Sequence, residues 1–153
     1  MKSSNIRFAG LAVALMVVLI GTSSMWGQDA QSTRLVVRRN KVINSVEAQL
    51  RGDYRADSAP TRLNSELENI NVPIGVPVAF CLIQNGVSMR LGVGKVALVG
   101  GIRTATVELS ARDGDIVPTV NAGDILVARQ SARPPFRANP GCGAPVLVGG
   151  FFH

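Results

Sequence analysis

The chain has 153 residues, 16 basic against 10 acidic side chains for a formal net charge of +6, two cysteines and a single histidine. A zinc centre takes three or four Cys, His or carboxylate ligands, so this supply argues against a metal site. It also argues against nucleophilic catalysis, because the one imidazole belongs to His153, the last residue, where chains usually fray and a triad cannot be held.

The amino-terminal stretch runs from Lys2 and Arg7 into an uncharged apolar run, Phe8–Ile20, and then into small polar residues. That order is the pattern of a secretory signal peptide, and the run is shorter than the roughly 20 residues of a spanning helix. We expect a signal peptide over residues 1–27, with cleavage after Gly27 or Ala30 and an uncleaved anchor as the alternative. The rest, 28–153, suits one domain exported to the periplasm, the cell surface or the medium. Loss of Lys2 and Arg7 takes the charge from +6 to +4, and nearly all the remaining basic residues are arginine.

In chain order, Arg34–Tyr54 shows strand periodicity, with Val42, Val46, Ala48 and Leu50 on one parity and Glu47 and Gln49 on the other. Arg51–Arg62 is polar, contains Pro60 and reads as a loop; its Arg51-Gly52-Asp53 reads as a turn rather than a recognition tripeptide. Leu63 and Leu67 alternate until the phase shifts near Asn69, as at a bulge or a strand end. "VPVAFCLI" (Val76–Ile83) is apolar on both parities, which predicts a strand covered on both faces or crowded by a loop. Asn85-Gly86 predicts a two-residue hairpin turn. Val87, Met89, Leu91 and Val93 then alternate with polar residues and glycines, and Ala105, Val107 and Leu109 repeat the pattern, so that both sets are expected to line one core.

Asp113-Gly114 and Asn121-Ala122-Gly123 are turn signals, flanked by the strand-like "IVPTV" and "DILVAR". Arg129–Pro145 is too rich in proline, glycine and arginine for a strand, and "VLVGGFF" is the last apolar run. Short strands between turn signals predict an all-β fold, a compact antiparallel sandwich or a partly open barrel, with no helix beyond about two turns.

The segments "ENINVPIGVPVAFCLIQNGV" and "ELSARDGDIVPTVNAGDILVA", within Glu68–Ala128, resemble a group of small exported bacterial β-sandwich modules of unassigned role. The shared features are an N-[IV]-N-[LV]-P turn, a strand with an Asn-Gly hairpin, and a D-G-x-x-V-P-x-V-x-x-G segment. The resemblance implies the fold and carries no catalytic residue. The two cysteines and the Arg/Pro-rich insert depart from it.

Motifs that carry chemistry elsewhere have plainer readings here. Gly92, Gly94 and Ala97 have nucleotide-loop spacing, but no helix follows to hold a pyrophosphate, so they read as strand glycines. Asp113 and Asp115, with Glu108 nearby, read as turn chemistry before carboxylate catalysis or calcium binding. The basic clusters lack the interleaved aromatics of a nucleic-acid surface. Their candidate role is an anion-binding surface of Arg129, Arg133 and Arg137 together with Arg34, Arg38, Arg39 and Lys41. Its partner would be an anionic polysaccharide, a lipid headgroup or an envelope protein. The segment Arg129–Asn139 is expected to be exposed, with Pro134-Pro135 stiffening it.

No cofactor is expected. The leading function is a non-enzymatic module that binds or builds. Cys81 and Cys142 are expected to form a disulfide, since an even cysteine count in an exported chain favours pairing over free thiols or an intermolecular bridge.

Overall fold

The computed structural model describes residues 33–56 and 60–153. The proposed signal peptide lies outside the described residues. Strands β1 (Thr33–Ile43) and β2 (Val46–Ala56) form a hairpin about Asn44 and Ser45, both at positive φ (49° and 65°), as a tight two-residue turn requires. Asn-Ser is a weaker sequence signal than Asn-Gly, and the turn changes one expectation. Ile43 pairs with Val46, so Val42 faces Glu47 on the outer side and is 68% exposed instead of joining Val46, Ala48 and Leu50.

A second correction follows in β2. Arg51–Ala56 is strand rather than loop, because Arg51, Asp53 and Arg55 point outward while Gly52 and Tyr54 are buried between them. Inward glycine hides the alternation: a Cβ on Gly52 would lie 2.8 Å from Leu126 Cδ2.

The chain continues through β3 (Arg62–Glu68), ended by Asn69 at φ 54°, and β4 (Pro77–Gln84). The Asn85-Gly86 turn leads to β5 (Val87–Lys95), β6 (Ala97–Val99) and β7 (Ile102–Ser110). A 3-10 turn, Ala111–Asp113, is the helical element among the described residues, and Gly114 closes it at φ 88°. "IVPTV" forms no strand: Ile116 is 93% exposed, without a partner strand to bury it. Strands β8 (Ile125–Arg129) and β9 (Val146–Phe151) complete the fold.

The strands form two antiparallel sheets, one ordered β1-β2-β3-β7-β6 and the other β5-β4-β8-β9, packed face to face. Their inner faces meet in one core that includes Val37, Leu50, Leu63, Leu67, Phe80, Leu82, Leu126 and Phe152. Two seams tie the sheets at their flanks. On one side β5 runs into β6 and passes so close to β7 that a Cβ on Gly94 would sit 2.4 Å from the Thr106 carbonyl oxygen, and one on Gly92 2.8 Å from Val107 Cγ1. The glycines of the G-x-G spacing are thus packing residues.

On the other flank the backbone of His153 donates to and accepts from Val36 at 3.1 and 3.0 Å. The terminal residue is therefore paired, contrary to the expectation that it frays.

Register also divides the run Val87–Val93. A bulge shifts the β4–β5 pairing between Phe80 and Cys81, which passes over Leu91. Met89 stays opposite Leu82 on the inner face, whereas Val93 lies opposite Ala79 on the outer one, so the expected single stripe feeds two clusters. Val87 and Met89 remain exposed at the mouth of the sandwich. Ala105, Val107 and Leu109 face the main core as expected.

Candidate functional site

The two-sided apolar pattern of β4 follows from a second, smaller cluster. Ala79, Cys81 and Val127 on the outer face of the four-stranded sheet are buried, with Ile83, Val93, Ile125 and Cys142 packed against them. Their cover is the segment between β8 and β9, pinned by the Cys81–Cys142 disulfide across 61 residues. Such a bond persists in a non-reducing compartment. Arg90 donates to Asn139 Oδ1 at 3.2 Å and Arg129 to the Ala144 carbonyl at 2.8 Å, fastening the same cover.

Gln130, fully buried, organises the start of the segment. Its amide nitrogen donates to the carbonyls of Pro77 (2.5 Å) and Arg137 (3.0 Å), while its amide oxygen accepts from the backbone N–H of Ser131 (2.6 Å) and Arg137 (2.9 Å). The loop is thus closed upon one side chain that sequence reading passed over. Only a polar residue ending an apolar strand hinted at it. Asn44, also passed over, donates to the Ala132 carbonyl and carries the loop onto the β1–β2 turn.

The seven basic residues proposed for anion binding fall into separate places. Arg129 is half-buried and spent on the cover. Arg133 and Arg137 are exposed on the loop, and the Arg133 Nε donates to Asn44 Oδ1 at 3.4 Å. Lys41 borders an open slot of about 220 Å³ with Val42, Ile43, Asn44, Ala132, Val146 and Leu147. Arg39 lies further along the same face of β1, where a Cβ on Gly150 would meet its own Cβ at 3.1 Å. Of the seven, Lys41 lines this slot, Arg133 bonds one of its lining residues, Asn44, and no carboxylate lines it among the described residues.

Arg34 and Arg38 lie on the opposite face of β1, over the outer surface of the five-stranded sheet. Arg34 is bonded to both oxygens of Asp53 at 3.2 and 2.8 Å, and Arg55 bonds the same carboxylate at 3.2 and 3.0 Å. Burial alone would raise the Asp53 carboxyl, but the hydrogen bonds and charges of Arg55 and Arg34 outweigh it and hold it below its ordinary value. Arg51-Gly52-Asp53 is mid-strand, its glycine buried and its ends engaged with Glu68 and with Arg34 and Arg55.

Asp115 accepts from the Ser110 N–H at 3.0 Å, which is turn chemistry. Asp113 and Glu108 are exposed. No group of three His, Cys, Asp or Glu able to hold a metal exists among the described residues, and no helix there is long and apolar enough to cross a membrane. Tyr54 is buried and Phe136 packs against the main core, so neither offers a stacking surface for sugars.

Comparison with protein-family models, with curated proteins and with solved structures finds no match for the chain.

Proposed function

We propose that the protein is an exported, non-enzymatic β-sandwich module of the periplasm or cell surface, working by binding or as a structural part of the envelope. The disulfide, which suits a non-reducing compartment, supports export, together with the signal-like amino terminus. The observation that carries the binding role is the loop Gln130–Pro145. A disulfide, a buried glutamine and the Asn44 contact fix it, and it holds Arg133 and Arg137 outward at little conformational cost on binding.

A second, narrower reading is favoured by the slot between β1 and β9. Lys41 lines a slot without a carboxylate, Arg133 bonds its lining residue Asn44, and Arg39 stands on the same face of β1, which suits an anionic glycan or lipid headgroup. The test is elution of the protein from a heparin-type resin in a salt gradient. Retention should fall steeply with salt, and the triple variant Arg39→Ser, Lys41→Ser, Arg133→Ser should elute far earlier. Unchanged elution of that variant would remove the slot as a binding surface.

A further inference from the structure

The β6–β7 hairpin ends in consecutive residues without a polar side chain, Ala97 to Ile102. Within it Leu98, Val99 and Ile102 are 57%, 60% and 46% exposed. The β1–β2 and β4–β5 hairpins turn on Asn44-Ser45 and Asn85-Gly86, each with an asparagine at the tip. This one turns on Gly100-Gly101, at φ 58° and 84°. Glycine meets the positive φ that the turn requires, but it gives water no side chain to bond.

The exposure is two-sided. Successive strand residues point to opposite faces, so Leu98 stands on one face of the hairpin and Val99, paired with Ile102, on the other. Beside it the Pro73–Val76 turn is fastened to Val96: Gly75 N–H donates to the Val96 carbonyl at 2.8 Å, and Val96 N–H to the Val76 carbonyl at 3.0 Å. That turn brings Ile74, 56% exposed, next to β6. Lys95 and Arg103 flank the apolar run, exposed and without an ion pair among the described residues; Arg103 Nη1 donates to Asn71 Oδ1 at 3.2 Å. Glu47 and Glu68 share a hollow with Ile102, where Asn40 bonds Glu47 at 2.9 Å and Arg51 bonds Glu68 at 3.0 Å.

We propose that this hairpin tip inserts into a lipid bilayer, at the boundary between headgroups and acyl chains. A protein docked on a sheet covers one face of it, whereas a medium that surrounds the hairpin buries Leu98, Val99 and Ile102 together. Insertion removes their apolar surface from water. At interfacial depth the free edge of β6 stays within reach of water and headgroups, so its backbone groups are not stranded in hydrocarbon. Lys95 and Arg103 meet headgroup phosphates there, with their stems along the apolar tip. The tip lies at the edge of the five-stranded sheet opposite β1, and is therefore separate from Arg39, Lys41 and Arg133.

The full mature protein is sedimented with vesicles of phosphatidylcholine containing phosphatidylglycerol. The parent should bind, and the triple variant Leu98→Ser, Val99→Ser, Ile102→Ser should bind about tenfold or more weakly. A second measurement keeps the tip apolar. Val99→Trp places an indole there, and the chain's own tryptophan, Trp26, precedes residue 28. Its emission should shift to the blue on adding vesicles and stay shifted in raised salt, because apolar burial is not screened. Adding Arg39→Ser, Lys41→Ser and Arg133→Ser to this reporter should leave the shift in place. Absent vesicle binding, binding that survives the three serines at the tip, or an indole whose emission does not move overturns the insertion. A parent dimer in sedimentation velocity that the tip serines make monomeric overturns it as well, and assigns the tip to a second copy. A shift lost with the slot changes overturns it too, and leaves the slot reading standing.

Discussion

The two sheets share a core but treat their outer faces in opposite ways. The five-stranded sheet leaves its outer face bare to water, with arginines and carboxylates such as Arg34, Arg51, Asp53 and Glu68 bridging neighbouring strands. The four-stranded sheet covers its outer face with the segment between β8 and β9 and buries Ala79, Cys81 and Val127 beneath it. A bare face reads as alternation of apolar and polar residues, and a covered one as apolar residues on both parities. The difference also separates the energetics: surface ion pairs hold one face, and a crosslink with buried hydrogen bonds holds the other.

The cover is the place where the comparison breaks most easily. Replacing both cysteines (Cys81→Ala with Cys142→Ala) frees a loop closed over 61 residues. On the chain-entropy account the loss is about 4 kcal/mol. Urea unfolding should show a lower midpoint, and limited proteolysis should cut within residues 131–145 before the sheets come apart. A parent-like midpoint would mean that the hydrogen bonds of Gln130, Arg90 and Arg129 hold the cover without the crosslink.

A smaller blow to the same region is Gln130→Leu. The change leaves the Pro77 and Arg137 carbonyls and the Ser131 and Arg137 amides without the partner that now meets all four. Each buried group left unsatisfied costs about 1–3 kcal/mol, reduced where the loop opens to water, so a net loss of about 3 kcal/mol is expected. The midpoint should fall while the disulfide stays intact. A loss below about 1 kcal/mol would show that the loop rearranges without needing its hub.

The regions also differ in how legible they were. The architecture, the Asn85-Gly86 hairpin and the Cys81–Cys142 pairing could be read from turn dipeptides, periodicity and cysteine count, which are local or arithmetic signals. The misreadings share one cause, a dependence on what lies across the strand. The bulge that sends Val93 to the outer face is a property of the β4–β5 pairing, and neither strand shows it alone. Gly52, Gly92 and Gly94 face inward because another chain segment comes close, so each interrupts an alternation that is really there. The arginine row Arg34–Arg55–Arg62 exists only through register, since those residues are scattered in sequence. The sequence cluster "RLVVRRNK", by contrast, is split between opposite faces of β1 by the same alternation, and "RQSARPPFR" leaves β8 after Arg129 for the loop.

The bare face offers the finest test, because its charges are only partly screened by water. Burial raises the Glu66 carboxyl above its ordinary value, and the nearby Glu68 charge raises it further, with Arg51 opposing both. A carboxyl raised in the folded state takes up protons on folding, so its contribution is most favourable below its unfolded value, near 4.5, and is lost as pH rises through the folded value. At neutral pH the ionised group therefore opposes folding. Asp53 behaves inversely: held low by Arg55 and Arg34 against its burial, it favours folding above about its ordinary 3.8 and loses that contribution as pH falls through its folded value. Glu66→Gln should consequently stabilise the protein at pH 7 by a few tenths of a kcal/mol, the scale of a partly exposed charge contact. The gain should shrink toward pH 4, where the parent carboxyl is protonated. Paired urea titrations of parent and variant at pH 7 and pH 4 measure it. A variant less stable at pH 7 would mean that Arg51, which also bonds Glu68 at 3.0 Å, draws more from Glu66 than burial and Glu68 take away.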